Sequence, residues 1–119
     1  MGQLEDKHLL IDIRNTSNVD LDDTEKVTSF FRKIVEKIGL NTVKVDNYDF
    51  EPHGTTIVLF LAESHLVYSS WPEFNGATVD IFPWKGYNSE IFDDIENFFN
   101  TKDVTYKVLN RRYNDSQKL

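Results

Sequence analysis

The sequence predicts an α+β fold in which two helices cover one face of a mostly antiparallel sheet, giving a two-layer α/β sandwich. Two segments carry apolar residues at helical spacing, and six others have the alternation or the apolar composition of strands. Their order along the chain is β-α-β-β-β-β-α-β. A length of 119 residues suits a single domain, 1–119, with one hydrophobic core.

The first strand and the first helix have clear signals. Over residues 8–14 every second side chain is apolar, which indicates a half-buried strand. The helix is predicted to begin near Thr24, after an acidic cap, and to end at Gly39. Its apolar stripe is predicted to contain Val27, Phe30, Phe31, Ile34, Val35 and Ile38.

The remaining elements follow from composition and turn residues. Four strands are predicted at residues 42–50, 55–62, 66–70 and 77–82. The second of these is apolar throughout, which indicates a central strand. A second helix is predicted from residue 88 or 89 to near Asn100, and a last strand over residues 104–109. Residues 110–119 are polar, and we expect a flexible tail there.

The composition excludes several kinds of chemistry. The chain contains no cysteine, which rules out disulfides, thiolate nucleophiles and cysteine-ligated zinc, and we predict no metal site. A net charge of −7 argues against duplex nucleic acid or an anionic membrane as a partner. No apolar stretch is long enough to span a bilayer, so we expect a cytoplasmic protein.

Three reactive side chains, Glu63, Ser64 and His65, follow the apolar strand directly. If the strand continued through them, Glu63 and His65 would share one face and Ser64 would take the other. A hydrolase-like arrangement needs an imidazole hydrogen-bonded to the serine, and His65 points away from it. The alternative is that these polar residues only mark the exit of the strand to solvent.

The segment "PHGTTIVLFLAESHLVYSSWPEFNGATVDIF" combines Ala-Glu-Ser-His, Trp-Pro-Glu and Val-Asp-x-Phe. It resembles the small prokaryotic S-adenosylmethionine (SAM) decarboxylases, and the resemblance covers nearly the whole chain. In that family the serine attacks the preceding carbonyl, the chain is cleaved, and the serine becomes a pyruvoyl group that acts as the electron sink for decarboxylation. The resemblance implies the sandwich fold and places Glu63 and Ser64 on either side of the cleaved bond.

Two positions depart from that family. Ser69 stands where the family has a histidine that assists processing, and Trp84 stands where it has a cysteine that donates a proton. Thr56 matches a serine that assists processing and keeps a hydroxyl. Since neither serine nor tryptophan replaces the lost proton transfer, we expect no cofactor, and a pyruvoyl group at Ser64 only if the chain is a decarboxylase.

The substrate pocket of the family is nevertheless represented. Phe50 matches the aromatic residue that stacks on adenine, and Glu73 matches the carboxylate that holds the ribose hydroxyls, both apt for adenosine. The predicted catalytic residues are Glu63, Ser64 and Ser69. The predicted substrate-binding residues are Phe50, Thr56, His65, Tyr68, Trp71 and Glu73.

A SAM pocket without a pyruvoyl group suggests a different reaction. The sulfonium is a good leaving group, and the carboxylate of SAM can expel methylthioadenosine and leave homoserine lactone if the protein positions it. Some phage SAM lyases are distantly similar to this decarboxylase fold, and a related class of lyases acts on adenylated SAM (SAM-AMP), a signal in antiviral defence. We therefore predict a carbon–sulfur lyase acting on SAM or SAM-AMP.

We expect this lyase to be a homo-oligomer, a dimer or trimer with sites near subunit interfaces. Two alternatives remain open. The first is a self-processing pyruvoyl decarboxylase of polyamine synthesis. The second is a non-catalytic SAM-binding sensor or regulatory subunit.

Overall fold

A computed structural model describes residues 7–83 and 86–110 of the chain. The strands are β1 (Lys7–Ile13), β2 (Thr42–Asp49), β3 (Thr55–Leu61), β4 (Ser64–Trp71), β5 (Gly76–Ile81) and β6 (Val104–Asn110). The helices are α1 (Thr24–Lys37) and α2 (Glu90–Phe99), and a short 3₁₀ turn lies at Pro72–Phe74. The order and the type of all predicted helices and strands are confirmed.

All six strands form one sheet in the order β2-β3-β4-β5-β1-β6. Every neighbouring pair is antiparallel, as predicted. The central strands β3, β4 and β5 are joined by short turns, and β1 inserts between β5 and β6. This arrangement places the end of β3, the turn after it and the start of β4 at one end of the sheet.

Both helices pack on the same face of the sheet, and the α+β sandwich is confirmed. The Asp23 carboxylate accepts a hydrogen bond of 3.1 Å from the Lys26 backbone N–H and so caps α1. The predicted stripe of α1 is confirmed, since Val27, Phe31, Ile34, Val35 and the C-cap residue Ile38 are buried and Phe30 is partly buried against the same core. Helix α2 begins at Glu90, after Ser89, and buries Ile91, Ile95 and Phe99. The helix-facing side of the sheet supplies the rest of the core, including Leu9, Ile11, Ile13, Ile57, Leu59, Leu66, Tyr68, Val79 and Ile81.

The opposite side of the sheet, which we call the open face, has no helix over it in the described ranges. Along the central strands, residues that point to the open face alternate with core residues, and they include half-buried Leu10, Val58 and Val67. Thr56 and Ser69 occupy a neighbouring row of the same face, because they pair directly across β3 and β4.

Several boundaries differ from the prediction by one or two residues, and those around residue 63 affect the site. Strand β3 ends at Leu61, residues 62 and 63 form a turn, and β4 begins at Ser64 rather than at residue 66. Glu63 is therefore in a turn and does not share a strand face with His65, whereas Ser64 and His65 lie in β4 and alternate as predicted. Strand β6 includes Asn110, the first residue of the predicted tail, and residues 111–119 lie outside the described ranges.

The longer of the two helices has 14 residues. None of the helices described here has both the length and the hydropathy needed to cross a bilayer.

Candidate functional site

A cavity of about 320 Å³ opens beside the first residues of β3 and the last residues of β4. It brings together five of the predicted site residues, Phe50, Thr56, Ser69, Trp71 and Glu73. His53, Gly54 and Ser70 also line it. Its volume lies at the lower end of the range for small-molecule pockets, about 300–1,000 Å³.

Two hydroxyl groups lie side by side in the cavity. Thr56 and Ser69 are direct partners across β3 and β4, and their Oγ atoms are 3.1 Å apart. The register of β3 and β4 thus places two hydroxyls side by side in the cavity, and each can both donate and accept hydrogen bonds.

Aromatic side chains border the same cavity. Phe50 follows β2 in the turn that leads to β3, and half of its surface is exposed. The turn is closed by a hydrogen bond of 2.8 Å from the Phe50 backbone N–H to the Gly54 carbonyl, and Gly54 takes φ +102, a conformation that favours glycine. Trp71 is also about half exposed and donates from Nε1 to Thr78 Oγ1 at 3.4 Å. Both rings are available for stacking on a planar ligand.

One carboxylate and one imidazole complete the lining. Glu73 lies in the 3₁₀ turn after Trp71, and its Oε1 is 3.7 Å from Nδ1 of His53. Both side chains are about half exposed. The sequence prediction missed His53 because it treated "EPHG" only as a turn between strands. It missed Ser70 because alternation along β4 turns this residue to the other side of the sheet from Ser69.

The predicted residues Glu63, Ser64 and His65 lie elsewhere, at the other end of β4. Ser64 and Ser69 are five positions apart, which is about 17 Å along a strand. The Ser64 hydroxyl donates a short hydrogen bond to the carbonyl of Phe82. The His65 ring lies 6.1 Å from the ring of His8, with the two planes at 65°. Within one chain, therefore, these residues and the cavity do not form a single site.

Glu63 has an unusual backbone conformation, with φ +70. Within residues 7–83 and 86–110, the other non-glycine residues with positive φ are all asparagines: Asn15, Asn18, Asn75 and Asn100. Asparagine tolerates this region because its short side chain bonds to the local backbone, whereas glutamate does not have this advantage. The peptide bond between Glu63 and Ser64 thus follows a strained residue.

Tyr68 was predicted to bind substrate but lies in the core. It shares the helix-facing side of β4 with Leu66 and is fully buried, and its hydroxyl donates to the Leu21 carbonyl at 2.8 Å. Burial, with the Asp22 and Asp20 carboxylates nearby, raises the pKa of the Tyr68 phenol. Trp84, at the position of the family cysteine, lies outside the described residues.

Comparison with known proteins identifies the family. The model of the S-adenosylmethionine decarboxylase family matches residues 7–112. A protein of Thermodesulfovibrio yellowstonii is 36% identical over 75 residues, which cover 63% of this chain and only 56% of the relative. A protein of Hydrogenobaculum is 33% identical over 108 residues, covering 87% of this chain and 79% of the relative. Both relatives are named S-adenosylmethionine decarboxylase proenzyme.

A solved structure supports the same assignment. The crystal structure of the adenosylmethionine decarboxylase from Aquifex aeolicus covers 99% of this chain and is itself covered to 99%, with a TM-score of 0.72 and 27% sequence identity.

These comparisons correct the functional prediction from the sequence. The relatives are decarboxylase proenzymes, so the prediction of a carbon–sulfur lyase is wrong, and the decarboxylase alternative is the better supported one. The prediction gave too much weight to Ser69 and Trp84 and too little to the remainder of the motif. An adenylated substrate and an antiviral role have no support from these relatives. The chain belongs to the S-adenosylmethionine decarboxylase family, whose members are enzymes that act on S-adenosylmethionine.

Proposed function

We propose that the chain is the precursor of a SAM decarboxylase that cleaves itself between Glu63 and Ser64. The observation that carries this proposal is the backbone of Glu63, which has φ +70 immediately before the serine. A left-handed conformation costs a residue such as glutamate about 1–2 kcal/mol. Strained residues persist where the surrounding structure holds them, and cleavage after Glu63 releases the strain.

The Ser64 hydroxyl is the nucleophile of this step. Its Oγ attacks the carbonyl carbon of Glu63, the bond from that carbon to the Ser64 nitrogen breaks, and an ester forms. Loss of the Ser64 α-proton and cleavage of its Cβ–Oγ bond release the Glu63 carboxylate and leave an enamine, which tautomerises to an imine. Water adds to the imine, ammonia leaves, and a pyruvoyl group remains at residue 64. The Phe82 carbonyl accepts a hydrogen bond from the Ser64 hydroxyl and so orients Oγ before attack, and the hydroxyl proton passes to the released Ser64 nitrogen.

The residues present fit such a group, because Ser64 supplies its atoms and lies at the start of β4 beside a strained turn. Once formed, a pyruvoyl group supplies the electron sink for loss of carbon dioxide from an amino acid. The chain's other residues bind and orient the substrate.

The cavity suits the nucleoside part of SAM. Phe50 offers an exposed ring face for the adenine, and Glu73 offers a carboxylate that can accept hydrogen bonds from both ribose hydroxyls. The Thr56 and Ser69 hydroxyls lie between β3 and β4 where they can hydrogen-bond to the polar amino acid part. The net charge of −7 is compatible with a cationic sulfonium substrate.

We further propose that the protein is a homo-oligomer, with a symmetric dimer as the simplest form. Two observations support an interface that includes the open face and the end of the sheet where the turn with the Glu63–Ser64 bond lies. Ser64 and the cavity are too far apart to serve one substrate in one chain, so a second copy is needed to bring them together. The open face and its margins also expose large apolar side chains, namely Tyr48, Phe60, Trp71 and Leu109.

The proposal is tested by intact-mass spectrometry of the purified protein, together with release of carbon dioxide from carboxyl-labelled SAM. We expect two fragments, residues 1–63 and a residue 64–119 fragment that begins with a pyruvoyl group. Ser64→Ala should remain uncleaved and release no carbon dioxide. A wild-type chain that stays whole and releases no carbon dioxide would overturn the proposal.

One observation favours a second candidate, a SAM-binding regulatory subunit that has no activity of its own. Ser69 occupies the position of the processing histidine, and its hydroxyl is hydrogen-bonded to Thr56. A serine hydroxyl does not exchange a proton near neutral pH as an imidazole does. Uncleaved protein that still binds SAM in calorimetry would support this candidate over the decarboxylase.

A further inference from the structure

We propose that Asp22 is a positioning residue for the cavity, because its carboxylate fixes the turn that carries Phe50 and His53. As a statement about substrate affinity, this inference rests on the proposed binding of SAM. Asp22 lies in the loop before α1 and does not line the cavity itself. It acts through the residues that do.

The Asp22 carboxylate bonds to two cavity residues on different elements. Its Oδ2 accepts from the backbone N–H of Gly54 at 2.9 Å, and its Oδ1 accepts from the Ser70 hydroxyl at 2.5 Å. The Ser70 oxygen in turn accepts from the backbone N–H of Thr55 at 2.8 Å. One carboxylate thus holds the loop before α1, the turn before β3 and the end of β4 in a fixed relation.

The carboxylate is itself held firmly. The preceding residue, Leu21, is buried, and its carbonyl accepts the hydrogen bond from Tyr68. Tyr68 and Ser70 are alternate residues on the helix-facing side of β4. Residues 21 and 22 are therefore attached to β4 at two successive points, so the position of the carboxylate follows from the packing of the core.

The consequence concerns the aromatic border of the cavity. The Phe50 backbone is bonded to the Gly54 carbonyl, and Gly54 is bonded through its N–H to Asp22. If the carboxylate is lost, the Gly54 N–H and the Ser70 hydroxyl both lose a charged acceptor, and such hydrogen bonds are stronger than neutral ones. The turn then moves more freely, and the Phe50 ring is no longer held ready for stacking.

The test compares Asp22→Asn with a matched control, Asp23→Ala. Asp23 is the adjacent carboxylate and caps α1, but the hydrogen bonds of its side chain do not include the turn. Asp23→Ala therefore lowers the stability of the fold and leaves the cavity intact. Both variants are made in the uncleaved Ser64→Ala chain, so that every protein measured has the same covalent structure.

Two measurements are made on each variant. In hydrogen exchange, Asp22→Asn should exchange the Gly54 and Thr55 amides about tenfold faster than the parent, while the core amides of β1 and β5 match those of Asp23→Ala. In calorimetry with SAM, Asp22→Asn should raise Kd about tenfold, and Asp23→Ala should leave it unchanged. Unchanged protection at Gly54, or an unchanged Kd in a protein that binds SAM, would overturn the inference.

If Asp22→Asn does not fold, Ser70→Ala provides the second variant. It removes the acceptor of the Thr55 N–H and should speed exchange at Thr55 while Gly54 stays protected. Equal protection of the Gly54 and Thr55 amides in Ser70→Ala would contradict the hydrogen-bond network proposed around Asp22. If the parent protein does not bind SAM at all, the proposed function fails, and the exchange data still decide whether Asp22 fixes the turn.

Discussion

Ser64 and Ser69 lie five positions apart on β4, and strand alternation turns their side chains to opposite faces of the sheet. The first belongs to the proposed cleavage site and the second to the cavity. In a symmetric dimer, each cavity would be completed by Ser64 of the partner copy, so that each of the two sites contains residues from both chains. This relation makes the assembly of the site testable by mixing variants.

Co-expression of Ser64→Ala with Glu73→Gln should restore activity that each variant lacks alone. A mixed dimer carries one site in which both residues are wild type, so random pairing should give about a quarter of the wild-type rate of carbon dioxide release. As a control, co-expression of Ser64→Ala with the double variant should give none. An inactive mixture, with mixed dimers demonstrated by mass, would show that each site forms within one chain.

Substitution of Glu63 by glycine tests the role of its backbone strain. Glycine adopts positive φ without steric conflict, so in an uncleaved Ser64→Ala background Glu63→Gly should raise the free energy of unfolding by about 1 kcal/mol. With Ser64 present, the same change should slow self-cleavage, because less strain is released. Denaturant titration and timed gel analysis measure the two effects. Faster cleavage in Glu63→Gly would contradict the proposed role of strain.

Tyr68→Phe tests whether Tyr68 stabilises the core or contacts the substrate. The substitution leaves the Leu21 carbonyl without its partner, so we expect a loss of about 1–2 kcal/mol in the free energy of unfolding. Tyr68 does not line the cavity and is connected to it only through Leu21 and Asp22, so the loss of affinity for SAM should be much smaller than in Phe50→Leu. Phe50→Leu is the contrasting variant, with weaker binding and nearly unchanged stability. Reversal of this pattern would restore Tyr68 as a binding residue.

These residues also show what the sequence could and could not predict. Hydrophobic periodicity, composition and turn residues were enough to predict every helix and strand of the described ranges, and four predicted site residues, Phe50, Thr56, Ser69 and Glu73, line one cavity. The turn at residues 62 and 63 was missed because neither residue is a glycine, proline or asparagine. That one error hid the strain at Glu63 and the true start of β4.

Other parts of the site depend on contacts between distant segments. Asp22 bonds to residues 32 and 48 positions away in the chain, and periodicity carries no signal for such pairs. The prediction of a lyase depended on two substituted positions, whereas the relatives favour the decarboxylase alternative.

The loop after β1 is linked to the residue before β6 by the ion pair between Arg14 and Asp103, whose contribution to the stability of the fold should depend on pH. Arg14 donates to Asp103 Oδ1 at 3.0 Å and Asn15 donates to Oδ2 at 2.7 Å. The Arg14 hydrogen bond, with help from Asn15, lowers the pKa of the Asp103 carboxyl from its ordinary value of 3.8. The folded state therefore favours the ionised form.

It follows that Asp103→Asn should be less stable than the wild type near neutral pH, with a difference that is complete above the ordinary carboxyl pKa. As pH falls through the lowered pKa, Asp103 becomes protonated in both states and the difference disappears. Thermal unfolding of both proteins between pH 7 and pH 2 measures this. A difference that stays constant with pH would exclude the charge pair as its cause.

Ser69→His introduces a histidine at the position where the resemblance places the processing histidine of the family. The side chain of residue 69 faces the cavity, where about 320 Å³ of space can admit an imidazole. In the proposed dimer this cavity lies beside Ser64 of the partner copy. An imidazole exchanges protons near neutral pH, so cleavage before that serine should accelerate by about tenfold or more. Its rate should also acquire a dependence on pH around the ordinary histidine pKa of about 6.5. Ser69→Asn, which adds a planar polar group that does not titrate, is the control. Equal acceleration in both variants would mean that packing, and not proton transfer, limits cleavage in this chain.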